Sequence, residues 1–183
     1  MTLVSVATEI LSILTLIGTA IIVLFVIDLF AYLIMRERLF DFLWKRIRKN
    51  AVLFAFIVSS IATLGSLFYS EIAGFTPCKL CWLQRIFMYP QSLLFLILLI
   101  KKSIKIKEVF LYSLIMSIIG ALIAGIHYLY QIGVVSGIEC DALGYSASCS
   151  QAFVLHYGYI TIPMMSLIAF LLLIISNLLW KKN

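Results

Sequence analysis

Apolar and polar positions along this chain separate into blocks instead of alternating. Five long stretches are nearly free of charge. Residues 10–35 carry one acid, Asp28, and residues 51–70 carry no charge. Residues 82–100 carry only Arg85, one turn inside the start, residues 109–130 hold His127 near their end, and residues 157–180 carry no charge. A membrane helix needs about 20 mainly apolar residues, and each stretch is near or above that length. Lipid admits only helices or closed barrels, because backbone polar groups find no water there. The runs lack the period-two alternation of barrel strands. The pattern predicts an all-α integral membrane protein with five transmembrane helices. The first is expected to be retained, since no Lys or Arg precedes it and it is too long for the apolar core of a secretory signal.

Composition agrees and removes other classes. Of 183 residues, 64% are hydrophobic and 12% charged, and the mean hydropathy is +1.15. Soluble domains average about 25% charged residues. A soluble domain this small cannot hide so much apolar surface, and disorder requires the opposite bias. The net charge of +6 is no nucleic-acid footprint once its positions are read. Of the 14 Lys and Arg, six lie in 36–50, four in 101–107 and two at 181–182, which leaves Lys79 and Arg85. Basic loops stay in the cytoplasm. That rule predicts a cytoplasmic C-terminus, with the N-terminus and the 71–81 and 131–156 loops outside. Leu39, Leu43 and Ile47 recur at helical spacing among bases, which predicts an amphipathic segment along the anionic inner surface. Asp28, near the interface, is expected to reach Arg36 or water. Pro77 and Pro163 sit near helix starts, where proline is tolerated. Pro90 is expected to kink the third span.

The candidate chemistry is in the cysteines. Cys78, Cys81, Cys140 and Cys149 all fall in the outward loops of this topology, on the oxidising side where disulfides persist. Four cysteines allow three pairings, and the close spacings favour Cys78–Cys81 and Cys140–Cys149 at rest. Cys78-Lys79-Leu80-Cys81 opens the third span after Pro77. A helix N-terminus favours thiolate, the reactive form. Arg85 lies four residues beyond Cys81 on the same face and can stabilise a thiolate or a carbonyl oxygen gaining charge. His127 approaches at similar depth from the fourth span. Together these describe a pocket at the lipid boundary suited to a lipid-soluble electron acceptor. Blander readings exist for each group. Cys140–Cys149 could be a structural clip worth about 2–3 kcal/mol. Arg85 could be an interfacial residue extended toward water, and His127 a hydrogen-bonded bundle residue. His156 has no evident partner. The nine positions from Cys140 to Cys149 are not a zinc-knuckle spacing, and no metal is expected.

Two runs, Gly65-Ser66-Leu67-Phe68-Tyr69-Ser70-Glu71 and Pro77-Cys78-Lys79-Leu80-Cys81-Trp82-Leu83-Gln84-Arg85-Ile86-Phe87-Met88-Tyr89-Pro90, resemble the DsbB family of membrane thiol–quinone oxidoreductases, most of all the compact BdbC-type branch of Gram-positive bacteria. His127-Tyr128-Leu129-Tyr130-Gln131, the Cys140/Cys149 pair and Gly158-Tyr159-Ile160-Thr161-Ile162-Pro163 add to the likeness, which covers about 51–180. The resemblance implies a four-helix bundle, residues 51–183, with two cysteine-bearing outer loops. Residues 1–50 would then be an additional N-terminal transmembrane helix and basic linker without counterpart in that core. It implies that Cys78 and Cys81 are the quinone-proximal redox pair, and that Cys140 and Cys149 meet a thioredoxin-like, DsbA- or BdbD-like partner. It further implies that Arg85, with Gln84 and His127, binds a quinone, menaquinone or ubiquinone. The second loop is short and lacks the longer segment of proteobacterial members.

The implied activity is reoxidation of an extracytoplasmic dithiol oxidase, with the electrons passed to a quinone of the bacterial cell membrane, so that exported proteins acquire disulfides. The competing readings are a non-enzymatic membrane scaffold with structural disulfides or a zinc clip, and a vitamin K epoxide reductase-like enzyme.

Overall fold

The computed structural model describes residues 2–36, 38–101, 105–135 and 148–180. Six α-helices follow in chain order: α1 (Leu3–Met35), α2 (Asp41–Lys49), α3 (Ala51–Leu67), α4 (Lys79–Ile100), α5 (Ile106–Gln131) and α6 (Ile162–Trp180). A π-helical turn, Phe68–Ile72, continues α3. Five helices are long and apolar enough to cross a membrane, all but the short basic α2. No strand is formed among the described residues, apart from a single bridge between His156 and Ile160.

The observed spans start or end a few residues from the charge-free stretches. At α1 the hydroxyl of Thr2 accepts from Ser5 N–H at 3.3 Å, so the helix begins well before residue 10. Its 33 residues make about 50 Å at 1.5 Å per residue, more than a hydrocarbon core of about 30 Å. The last span starts later than residue 157. Tyr157 and Gly158 adopt positive φ (50° and 80°) in a tight turn, and the helix begins with Pro163 in its first turn, where a missing N–H costs nothing. α4 continues through Pro90 to Ile100.

α6 is the central element. Ten of its 19 residues are buried, against five of 33 in α1. It packs on α5, α3, α1 and α2, while α4 joins α3 to α5. Small residues permit the close approaches, as expected where lipid supplies no hydrophobic drive between helices. The Phe170 ring lies on Gly120 of α5, where a Cβ would overlap it. Ala51, Ala55, Phe95, Phe110 and Leu173 fill the space around Phe170, and Phe110 stacks on Trp180 at 4.6 Å.

A polar network crosses this core. Ser113 and Ser117 of α5 donate to Gln91 Oε1 of α4 at 2.7 and 3.1 Å. Asn177 of α6 donates to Ser113 Oγ at 3.3 Å.

The basic linker also folds inward. On α2 the buried face is Trp44 and Ile47, packed against Ile175 and Leu179 with Phe40, Leu43 and Phe25 around them. Leu39, expected on that face, lies outside the helix and is exposed. Asp28 is buried and accepts from Phe40 N–H at 3.0 Å, with Arg38 at 4.0 Å. Arg36, the expected partner, instead ends α1 in a left-handed conformation. A buried carboxylate needs such donors, and here they turn the chain from α1 into α2.

Candidate functional site

Cys78 caps α4: its backbone is extended and its sulfur accepts from Cys81 N–H at 3.4 Å. The two sulfurs stand 3.2 Å apart. Both are free thiols, whereas the spacing predicted a resting disulfide. A disulfide requires about 2.05 Å; the helix start instead holds the pair in contact with one sulfur taking the cap. Cys78 lies deeper than Cys81, being 3% exposed.

His127, at the last turn of α5, is buried between the two cysteine segments. Its Nε2 lies 3.2 Å from the Cys149 carbonyl oxygen and 3.6 Å from Cys78 Sγ. A carbonyl only accepts, so Nε2 carries the hydrogen. Nδ1 then accepts from the Gln84 amide at 3.0 Å, and the neutral ring is satisfied on both sides. Cys78 Sγ therefore faces two N–H groups, and it is Cys81 that holds the proton between the sulfurs. The hydrogen bond from the Cys81 thiol, opposed by burial and assisted by His127, holds the Cys78 thiol well below its ordinary value of 9.0.

Cys149 is fully buried against Cys78, Leu80, Cys81 and Tyr130, and it is disulfide-bonded. One ligating atom each of Cys78, His127 and Cys149 lies within 4.8 Å of the others. The expected site residue Cys140 lies outside the described residues. The segment after Cys149 is fastened to α5. Gln131 donates to the Gln151 carbonyl at 3.2 Å and Tyr128 to the Tyr159 carbonyl at 3.4 Å. His156 contacts the Tyr157 ring at 4.3 Å and lies away from this cluster.

Arg85 is buried one turn beyond Cys81. It donates to the Ser66 carbonyl at 3.1 Å and lies over the Trp82 ring at 5.1 Å. Its Nε has no hydrogen-bond partner. Ser66 precedes the π-helical turn, where the regular ladder of carbonyls is shifted, and its hydroxyl accepts from Tyr89 at 3.2 Å. Ser66 and Tyr89 were inside the recognised motif without an assigned role. Nothing in the sequence signalled the π turn or the contact of Ser66 with Arg85.

These groups line one end of a cavity of about 290 Å³. Cys78, Cys81, Gln84, Arg85, His127 and Gln131 form the polar end. Toward the basic side it is walled by α1, α3 and α6, including Ile21, Phe54, Ile57, Ile61 and Leu172. From Ser66 to Phe54 along α3 is about 18 Å at 1.5 Å per residue. The cavity is thus long, polar at the cysteines and apolar beyond them.

The sequence model of the family described as Disulfide bond formation protein DsbB matches residues 48–180. Disulfide bond formation protein C of Bacillus subtilis (strain 168) is 44% identical over 137 residues, 73% of this chain and 96% of the relative. The SPbeta prophage-derived disulfide bond formation protein B of the same strain is 42% identical over 125 residues, 68% of this chain and 81% of that protein. A probable disulfide formation protein of Oceanobacillus iheyensis is 39% identical over 131 residues, 72% of this chain and 88% of its own length. No solved structure matches the chain. With its apolar helices and paired cysteines, this chain belongs to the DsbB family of multi-pass membrane oxidoreductases that form disulfide bonds.

Proposed function

We propose that the protein draws electrons from a reduced thioredoxin-like protein outside the cell membrane and delivers them to a membrane quinone. The observation that carries this reading is the contact of both cysteine segments at the polar end of one apolar cavity. Cys149 packs on Cys78, and Cys78 and Cys81 open into the cavity. The distribution of Lys and Arg supports an outward-facing cysteine end and a cytoplasmic basic end. Residues 51–183 form the working four-helix unit in this reading, with residues 1–50 as an added helix and linker.

The exchange steps balance as two-electron transfers. A thiolate of the partner attacks the Cys140–Cys149 disulfide, and the resulting mixed disulfide resolves to an oxidised partner and two loop thiols. The loop thiols then reduce an oxidised Cys78–Cys81 pair and re-form their own disulfide. The low-lying Cys78 thiolate, held by Cys81 and His127, is the better leaving group in that exchange. The Nε2–H of His127, on the Cys149 carbonyl, keeps the two segments aligned. Cys81 lies one helical turn before Arg85, whose Nε has no hydrogen-bond partner.

The residues fit a quinone. A buried cation with a free N–H suits a ring carbonyl gaining charge, and the apolar length beyond suits an isoprenoid chain. A quinone bound there supplies a two-electron, two-proton acceptor that allows the Cys78–Cys81 disulfide to re-form. Arg85 and the Gln84 amide oxygen would hold it, His127 would fix Gln84 through Nδ1, and the surrounding apolar side chains exclude water.

The test is anaerobic quinol formation by the purified protein in lipid vesicles, with a reduced thioredoxin-like protein as donor. Wild type should form quinol, and Cys81→Ser should not. Equal rates in both, or stoichiometric zinc in the purified protein with disulfides that never turn over, would favour the scaffold readings.

A further inference from the structure

The family match begins at residue 48, so α1 lies outside it. This helix is nevertheless built into the site. Gly18 lets α1 lie flat on α6: a Cβ there would stand 2.7 Å from Ile168 and 3.1 Å from Leu172. Near the cysteine end, Leu11 presses on Gly65 of α3, where a Cβ would stand 3.2 Å from its methyl groups. The Tyr69 hydroxyl also donates to Thr8 Oγ1 at 3.3 Å. At the opposite end, Phe25 meets Trp44 of α2 edge-on at 5.3 Å, and Asp28 closes the turn between the two helices. α1 is therefore fixed to α6, α3 and α2 on several sides of the cavity.

Between these fixed points α1 faces the cavity with Leu11, Leu14, Thr15, Ile17, Gly18 and Ile21. From Leu11 to Ile21 is about 15 Å at 1.5 Å per residue. That face brings no charge. Its one hydroxyl, Thr15 Oγ1, donates to the Leu11 carbonyl at 2.8 Å and is already used. The residues assigned to the quinone ring, Gln84, Arg85 and His127, come from α4 and α5. Without α1, the cavity-lining Leu172 of α6, 7% exposed with α1 in place, would meet bilayer lipid directly.

We infer that α1 is the wall that encloses the apolar chain of the quinone. It turns a lipid-facing groove into a bounded site that discriminates among quinones by their chains. This rests on the quinone reading above. The ring is held by the DsbB-type residues, and the chain lies along Leu11, Leu14 and Ile21.

Two measurements test it. In the first, wild-type protein in vesicles is irradiated with a quinone carrying a photoreactive diazirine at the end of its apolar chain. Label is expected in the peptide spanning residues 11–21. In the second, Leu14→Trp narrows the cavity. The KM for a long-chain quinone should rise about tenfold more than the KM for a chainless quinone of the same ring, since steric discrimination in an apolar pocket has that size. Equal KM shifts for the two quinones, or label confined to α3, α4 and α6 while quinone reduction persists, would overturn the wall and leave the acceptor reading standing. Absence of quinone reduction by wild type would overturn both.

Discussion

Two polar clusters lie inside this apolar bundle, and their bonding differs. The network of Gln91, Ser113, Ser117 and Asn177 joins α4, α5 and α6, and its members bond mainly to one another and to helix carbonyls. The cluster of Cys78, Gln84, Arg85 and His127 joins α4 and α5 to the Cys149 segment and opens into a cavity. In the first, one acceptor, Asn177 Oδ1, is left over; in the second, the orphan is a donor on a buried cation, Arg85 Nε. Polar groups at membrane depth are costly unless partnered. A cluster whose partners are its own side chains fixes helix register. A cluster with an unused cationic donor beside paired thiols and an apolar cavity suits a ligand. Substitutions should therefore separate the two clusters cleanly.

The largest effect is expected at the cysteines. Cys78→Ser should reduce dithiol-driven quinol formation to the rate without protein, because a hydroxyl cannot enter the exchange; retained turnover would sink the assignment of Cys78. Arg85→Ala comes next. Losing a charged hydrogen bond of about 1.5–3 kcal/mol should raise the quinone KM by roughly 10- to 100-fold, while a single turnover of thiol exchange with the partner stays near wild type. An unchanged KM would break the distinction drawn above. Gln91→Leu should act oppositely. It strips Ser113 and Ser117 of their acceptor and should cost about 1–2 kcal/mol, seen as a lower unfolding midpoint in detergent without a change in quinone KM.

The His127 effect should be smaller and visible in pH. Cys78 sits below the ordinary thiol value because Cys81 and His127 donate to it. Its thiolate is then populated at neutral pH and lost as pH falls through the lowered value. The iodoacetamide reactivity of Cys78 should follow that curve, and His127→Ala should move the midpoint upward toward 9.0, the unperturbed value. A midpoint that does not move would remove His127 from the control of Cys78. Asp28→Asn should have the smallest effect. Its amide oxygen can still accept from Phe40 N–H, and the lost attraction of Arg38 at 4.0 Å is offset by no longer burying a charge. A thermal melt in detergent measures it, and a large drop would mean that the α1–α2 turn depends on charge.

Much of this was legible from residue order. Charge-free runs locate membrane helices because lipid penalises charge wherever it lies along the chain. Cys-X-X-Cys at a helix start and Arg85 one turn on are local features, set by a few residues and by helical periodicity. Gln84 and His127 were legible as candidates, but their pairing with each other was not. Neither was the pairing of Asp28 with Phe40 and Arg38, which depends on a turn that bases and apolar residues alone do not specify. The face of α2 shifted from Leu39 to Trp44 because the helix starts later than its pattern suggested.

Residue order by itself determined the spans, the family and the four cysteines, since hydropathy and short motifs are properties of neighbouring residues. Tertiary structure decided that Cys149 sits on Cys78, that Ser66 meets Arg85, and that α1 walls the cavity. Each of these joins residues 19 to 154 positions apart, such as Ser66 with Arg85 or Gly18 with Leu172. Such contacts follow from how five apolar helices pack, and lipid-soluble faces look alike until small residues and buried polar groups select one arrangement.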